Sequence, residues 1–292
     1  MAVTAAMVKE LRERTGLGML DCKNALVESD GDMEKAIENL RKNSALKAAK
    51  KSGRTTANGL LGVKVAADGS KGAIVEVNIE TDFAAKNEKF IGFVAKVASE
   101  LYDSVDGDLE TLLEAGLNSE REVLVQEIGE NITVRRGQIL TAPAGGSVGS
   151  YVHGDNLKGS LVGLTNQDRE LGRDIAMHVT AISPAVVKGE DVPATVIAKE
   201  REIYTAQARA SGKPEEIVEK MVEGRVRKYL AEVSLVDQVF VKSTSDKETV
   251  GSRLKSKGSD VSSFIRFEVG EGLEVANEDF AAEVAAQLKD KD

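Results

Sequence analysis

The segment Lys71-Gly72-Ala73-Ile74-Val75-Glu76-Val77-Asn78 returns 87 residues later as Lys158-Gly159-Ser160-Leu161-Val162-Gly163-Leu164-Thr165-Asn166. Short apolar, β-branched runs of this kind read as strands. Each copy leads into a stretch with helical apolar spacing: Phe90, Phe93, Val94, Val97 and Leu101 after the first, Leu171, Ile175, Val179 and Ile182 after the second. One long-range echo without a short period predicts an α+β fold with two related halves rather than a solenoid.

The neighbouring residues extend both halves. Leu61, Val63 and Val65 alternate, Asp68-Gly69 turns the chain, and Ile132-Thr133-Val134 resumes a strand after the first helix. Phe264 to Val269 is the corresponding closing strand of the second half. The first half is placed at 56–142 and the second at 143–187 and 233–272, with Gly145-Gly146 after Pro143 as a flexible join. The insertion at 188–232 is helical from Pro193 to Leu230 and breaks only at Ser211-Gly212-Lys213-Pro214. Val196, Ile203 and Ala210 mark one arm and Ile217, Met221 and Tyr229 the other. Arms of about 18 residues would project about 27 Å at 1.5 Å per residue as an antiparallel hairpin.

Residues 1–55 read as a compact helical unit. Val8 and Leu11 form one stripe up to the Thr15-Gly16-Leu17-Gly18 turn, and Cys22, Ala25 and Leu26 carry a second helix to Asp30-Gly31. Asp32 caps a third helix with Glu34 in its first turn and Ile37 and Leu40 inward. The basic stretch Lys47, Lys50, Lys51 and Arg54 fits a solvated helix or linker, or an electrostatic contact with a partner. At the other end, 273–292, Asn277 can cap a short helix with Phe280, Val284 and Leu288 along one side.

Composition narrows the partner. The net charge of -9 opposes nucleic acid as the main ligand, and aromatics at 4% with no Trp leave few platforms for base stacking. Residues 1–55 carry 11 Lys and Arg against 8 Asp and Glu, whereas 264–292 carry 3 against 8, a polarity better suited to gripping a protein. The single Cys22 cannot form an internal disulfide, no signal-peptide pattern opens the chain, and no apolar run reaches the ~20 residues of a membrane span. A cytoplasmic location is expected.

Chemistry of the chain's own finds little support. The two histidines and one cysteine make no ligand set with metal-binding spacing, so no metal is expected. His178 sits within an apolar helix and reads as structural; His153, in Ser150-Tyr151-Val152-His153-Gly154, is a candidate surface contact. Lys255-Ser256 ends like a phosphate loop, but Leu254 replaces the preceding Gly. In Gly270-Glu271-Gly272 the third small residue of a dinucleotide turn is replaced by Val275. No catalytic residue and no cofactor are expected.

Thr81-Asp82-Phe83-Ala84-Ala85-Lys86-Asn87 lies between a strand and a helix. It fits a capping turn that buries its Phe. It equally fits an exposed anchor and charge presented at a rigid corner.

Together with that segment, Leu11-Arg-Glu-Arg-Thr-Gly-Leu-Gly-Met-Leu-Asp-Cys-Lys-Asn-Ala-Leu26 resembles the bacterial elongation factor Ts family. So do His153-Gly154, Lys213-Pro214 through Met221-Val222-Glu223-Gly224-Arg225, and Phe264-Ile-Arg-Phe-Glu-Val-Gly-Glu-Gly272, in order along essentially the whole chain. Leu17 stands where Ala is usual, Leu20 where Met is common and Ala84 where Val is common. The resemblance implies a guanine-nucleotide exchange factor for elongation factor Tu, without direct binding of nucleotide, nucleic acid or membrane. It implies a ubiquitin-associated-like three-helix unit, a duplicated core with antiparallel sheets, a protruding helical hairpin and a short C-terminal helix. Thr81, Asp82, Phe83 and Ala84 then match the segment that dislodges the partner's Mg²⁺, and Arg12, Met19, Leu20 and His153 match further partner contacts. Two core halves in one chain imply a monomer in a 1:1 complex. A ribosome- or RNA-associated protein is the alternative, supported by the basic stretch and opposed by the net charge.

Overall fold

A computed structural model describes residues 2–244 and 247–273. Three helices, α1 (Ala5–Thr15), α2 (Met19–Glu28) and α3 (Met33–Lys51), open the chain. Thr4 caps α1 by accepting from the Met7 amide, and Gly16, at φ +74°, closes it with a bond to the Arg12 carbonyl. Asp32 accepts from the Lys35 amide to start α3. Val8, Leu11, Leu17, Cys22, Leu26, Ala36 and Leu40 form the core of this unit. The second half of α3 leaves it: Ala48 packs among Phe93, Leu124 and Val125, and Ser44 donates to Gln126 at 2.7 Å. Lys47, Lys50 and Lys51 of the basic stretch thus lie on a helix with one apolar side inserted in the next core, and Arg54 follows its end.

Strands β1 (Asn58–Val65), β2 (Lys71–Ile79) and β3 (Ile132–Thr141) form one antiparallel sheet with β2 central. Between β2 and β3 the chain runs through α4 (Asp82–Ala85), α5 (Glu88–Asp103), α6 (Leu109–Leu112) and α7 (Asn118–Ile128). β4 (Ser147–Val152), β5 (Lys158–Leu164) and a last strand, β6 (Val261–Glu268), form the second antiparallel sheet with β5 central. The two echoed segments are therefore the two central strands. α8 (Arg169–Ile182) follows β5 as α5 follows β2.

Strand alternation explains the layering. Val75, Val77 and Ile79 of β2 face α5, while Ile74 meets Leu161 of β5 and Phe267 of β6. Val162 and Leu164 of β5 turn the other way, toward α8. The sheets lie back to back with a helix on each outer face. α8 comes very close to β4, because Gly149 lies against Gly172 so tightly that a Cβ on Gly149 would sit 2.2 Å from the Gly172 carbonyl carbon.

Glu76 lies between the sheets and is fully buried. The β2–β3 pairing slips between Glu76 and Val77, so Arg135 and Arg136 fall side by side on β3. They reach the Glu76 carboxylate at 3.0 and 2.5 Å, and the Gly270 amide beyond β6 donates to it at 2.8 Å. Burial alone would raise the Glu76 pKa; these donors and Asn78 outweigh it and hold the carboxyl below its usual range.

Between α8 and β6 stand α9 (Ala194–Arg209), α10 (Glu215–Val233) and the short α11 (Val250–Ser256). The first two form the expected antiparallel hairpin, but its seam differs from the expected one. Ile197, Tyr204 and Ala208 pack against Val218, Val222 and Val226, with Met221 beside them. Val196, Ile203 and Ile217 are exposed, as is Ala210. Ile197, Tyr204 and Val218 each lie one residue beyond the expected Val196, Ile203 and Ile217, whereas Met221 keeps its expected place in the seam. The Pro143 join also differs from expectation. Gly146 closes a turn onto the Pro143 carbonyl, and a Cβ there would lie 2.1 Å from the Leu164 carbonyl oxygen, so the link is closely packed at Gly146 while Gly145 stays open. Lys255 and Ser256 end α11 with Leu254 buried beneath, which is no phosphate loop. The expected helix at Asn277, Phe280, Val284 and Leu288, and Val275, lie outside the described residues.

His178 is fully buried on α8. Its Nδ1 accepts from the Val241 amide at 3.1 Å, which leaves Nε2 to donate to Gln238 at 2.9 Å: a neutral ring serving structure.

Two outcomes follow. Glu76→Ala strands two guanidinium groups that retain some solvent access, so urea titration should register a loss of about 3 kcal/mol, the lower end for breaking a buried pair. Burial lowers the His178 pKa, so the unfolded chain takes up this proton first. The His178 contribution is complete above the unfolded value of about 6.5 and is lost as pH falls through and below it. The melting temperature should decline over that window in the native protein, with a shallower slope in His178→Gln.

Candidate functional site

The chain leaves β2 through Glu80 and enters two caps in quick succession. Thr81 accepts from the Ala84 amide at 3.2 Å to start α4, and Asn87 accepts from the Lys89 amide at 2.9 Å to start α5. Ala85 is buried and Ala84 packs at the edge of the core, so the single turn is rooted. Phe83 points the other way and is 81% exposed. The capping turn is therefore present, but its Phe is presented rather than buried.

Asp82 beside it is also exposed and pairs with Lys86 at 2.9 Å. That bond holds the Asp82 carboxyl, already anionic at neutral pH, further below its usual range. The Lys86 ammonium lies 5.3 Å from the centre of the Phe83 ring, within cation–π range. An anion, a cation and a bare ring are therefore gathered on one turn. The sequence pattern gave Lys86 no role; its i, i+4 spacing from Asp82 was the available signal.

The corner is clasped from the end of α7. Gly129, at φ +88°, turns the chain so that Glu130 accepts from the Thr81 amide at 2.9 Å and from the Thr81 hydroxyl at 2.7 Å. Glu80 in return accepts from the Asn131 amide at 2.5 Å, and Asn131 donates to the Arg54 carbonyl at 3.1 Å beyond α3. Glu80, Glu130 and Asn131 gave no signal in the sequence, since the contacts bridge distant segments.

Arg12, Met19 and Leu20 cluster where α1 turns into α2, with Met19 60% and Leu20 70% exposed. Leu17 is buried there, so the departure at this position fills the unit's own core. Arg12 and Met19 border a shallow depression shared with Gln126 and Glu127 of α7. Glu127 also pairs with Lys89, in the first turn of α5 behind the corner. His153 stands apart on the β4–β5 hairpin, exposed, with Nδ1 2.9 Å from Asp155. The expected residues thus occupy three places rather than one pocket. Among the described residues no cluster of His, Cys, Asp and Glu could hold a metal, and no helix is long and apolar enough to cross a membrane.

Since the exposed Phe83 ring stands outside the core with the Lys86 ammonium over it, Phe83→Ala should change unfolding free energy by no more than about 1 kcal/mol. Chemical denaturation of the variant checks this.

Comparison with known proteins gives a consistent answer. The family model described as Elongation factor TS matches residues 80–271. The chain is similar to a protein named Elongation factor Ts from Hahella chejuensis, 56% identical over 288 residues and 99% of both chains. It is equally similar to that of Saccharophagus degradans, 56% identical over 99% of this chain and 98% of the relative. The Marinobacter nauticus protein of the same name is 55% identical over 98% of this chain and 97% of the relative.

Proposed function

The chain belongs to the elongation factor Ts family, and on that premise we infer that it binds the GTPase elongation factor Tu and promotes release of its GDP during translation elongation. The observation that carries the mechanism is the bare Phe83 ring beside a fixed Asp82 carboxylate on a turn rooted in the core. The ring enters an apolar recess of the GTPase and the carboxylate acts on the surroundings of its Mg²⁺. Thr81 and Ala84 hold that turn from either end. Displacing the metal weakens the hold on the phosphates, because the ion is the largest local charge in such a site.

Exchange requires contacts that favour the nucleotide-free partner over the loaded one. Inverting a 99:1 population takes about 5.5 kcal/mol of differential binding. Burying one Phe contributes roughly 1.5–3 kcal/mol, so the corner does not suffice alone. Exposed Arg12, Met19 and Leu20 of the three-helix unit at 1–55, and His153 on the second sheet, supply the separate docking contacts such a task needs. The chain carries out no covalent chemistry, acts as a monomer on one partner, and needs no cofactor. An RNA- or ribosome-associated role is disfavoured by the family relationship and by the charge of -9.

Release of labelled GDP from elongation factor Tu, with and without the protein, tests the assignment; no acceleration would refute it. Phe83→Ala should lower catalysed release about 5- to 150-fold, equivalent to ~1–3 kcal/mol of differential binding. Asp82→Ala should also be slow, with part of its defect disappearing when Mg²⁺ is chelated. Full exchange activity in a folded Phe83→Ala protein would remove the wedge role.

A further inference from the structure

We propose that Glu130 is a positioning residue for nucleotide exchange, acting through Thr81 to fix the direction in which the Asp82–Phe83 turn is presented. The proposal rests on the reading of that turn as the exchange wedge.

An 81% exposed ring receives almost no guidance from packing, so its direction is set by the backbone of its own turn. α4 is only four residues long and cannot hold itself, because a single helical turn fixes several dihedrals for very few bonds. Thr81 is where the turn is secured. Its hydroxyl has one proton, and that proton goes to Glu130 at 2.7 Å. The lone pairs are then directed to the Ala84 amide at 3.2 Å. The same carboxylate takes the Thr81 amide at 2.9 Å, so Glu130 fixes both the main chain and the rotamer of the capping residue.

Glu130 is itself aimed by the left-handed cap at Gly129, and its neighbour Asn131 is held by Glu80 at 2.5 Å. Two carboxylates therefore cross between the start of β3 and the end of β2, each binding a backbone amide on the other side. The wedge's direction is written into a segment 49 residues away in the chain.

The test measures catalysed GDP release from elongation factor Tu and thermal melting for the full-length chain carrying Glu130→Ala, Glu130→Gln or Glu130→Asp, and for Glu130→Ala combined with Phe83→Ala. Glu130→Ala should slow release roughly five- to tenfold, as expected for losing charge-assisted bonds. Glu130→Gln should recover most of the rate, since its amide oxygen can accept from the Thr81 amide while its NH₂ donates to the hydroxyl. Glu130→Asp keeps the charge but is one methylene short, so it should remain slow; it also gives an answer if Glu130→Ala fails to fold. In the Phe83→Ala background, Glu130→Ala should add little further loss, which a merely structural role would not produce. Full activity in Glu130→Asp, or an undiminished loss in the double variant, overturns the proposal. If Phe83→Ala is impaired while Glu130→Ala is not, Glu130 alone is excluded; if Phe83→Ala is itself fully active, the wedge reading falls and this proposal with it.

Discussion

A buried carboxylate between two sheets is costly unless both of its oxygens find donors, and Glu76 meets that condition from three directions. Asn78 comes from its own strand, Arg135 and Arg136 from the neighbouring strand, and the Gly270 amide from the chain leaving the opposite sheet. Arg136 continues the connection by donating to the Glu268 carbonyl at 2.9 Å and lying 4.3 Å over the Phe267 ring. Apolar faces alone allow sheets to slide over one another. A carboxylate that accepts from both sheets permits only one alignment. The relative placement of the corner on the first sheet and the His153 hairpin on the second follows from that alignment.

The duplication is visible in this detail. The β5–β6 pairing slips between Gly163 and Leu164, at the position in the repeat where β2–β3 slips between Glu76 and Val77. The extra residue is Arg135 in one half and Ser262 in the other. In the second half the place of Glu76 is taken by Gly163, where a Cβ would lie 2.6 Å from the Ser262 hydroxyl. Both copies have the same backbone irregularity, filled by an ionic cluster in one and by close packing in the other. A bulge sharpens twist and re-aims side chains whatever those side chains are. The shared feature is thus the bent strand.

Much of this architecture is readable locally. Thr15-Gly16, Asp32 and Asp68-Gly69 punctuate the chain where their capping and turn chemistry says they should, and the echo around Lys71 and Lys158 identifies the central strands. What escapes is set by contacts between distant residues. Nothing near Phe83 distinguishes it from the buried Phe90 and Phe93, because the difference is which side of a one-turn helix meets the core. The hairpin's helical period is plain, but its phase depends on which row of α10 meets α9. α6 and α7 leave no clear period in the sequence, since their apolar stripe is thin and Gly116, at φ +153°, interrupts the run. The Glu130 clasp spans 49 residues and leaves no pattern in either segment.

The long third helix gives the molecule a property of its own. α3 begins in one core, with Ala36 and Leu40, and ends in another, with Ala48. Its 19 residues span roughly 28 Å at 1.5 Å per residue without a break. Two bodies joined by a loop would sample many separations, whereas two bodies sharing a continuous helix keep the spacing of a calliper set at assembly. Swinging one jaw would require bending the helix and prying Ala48 from its seat. Any surface that touches Met19 and Leu20 while receiving Phe83 must therefore conform to a gauge already fixed before contact, and the strain of a poor fit falls on that surface.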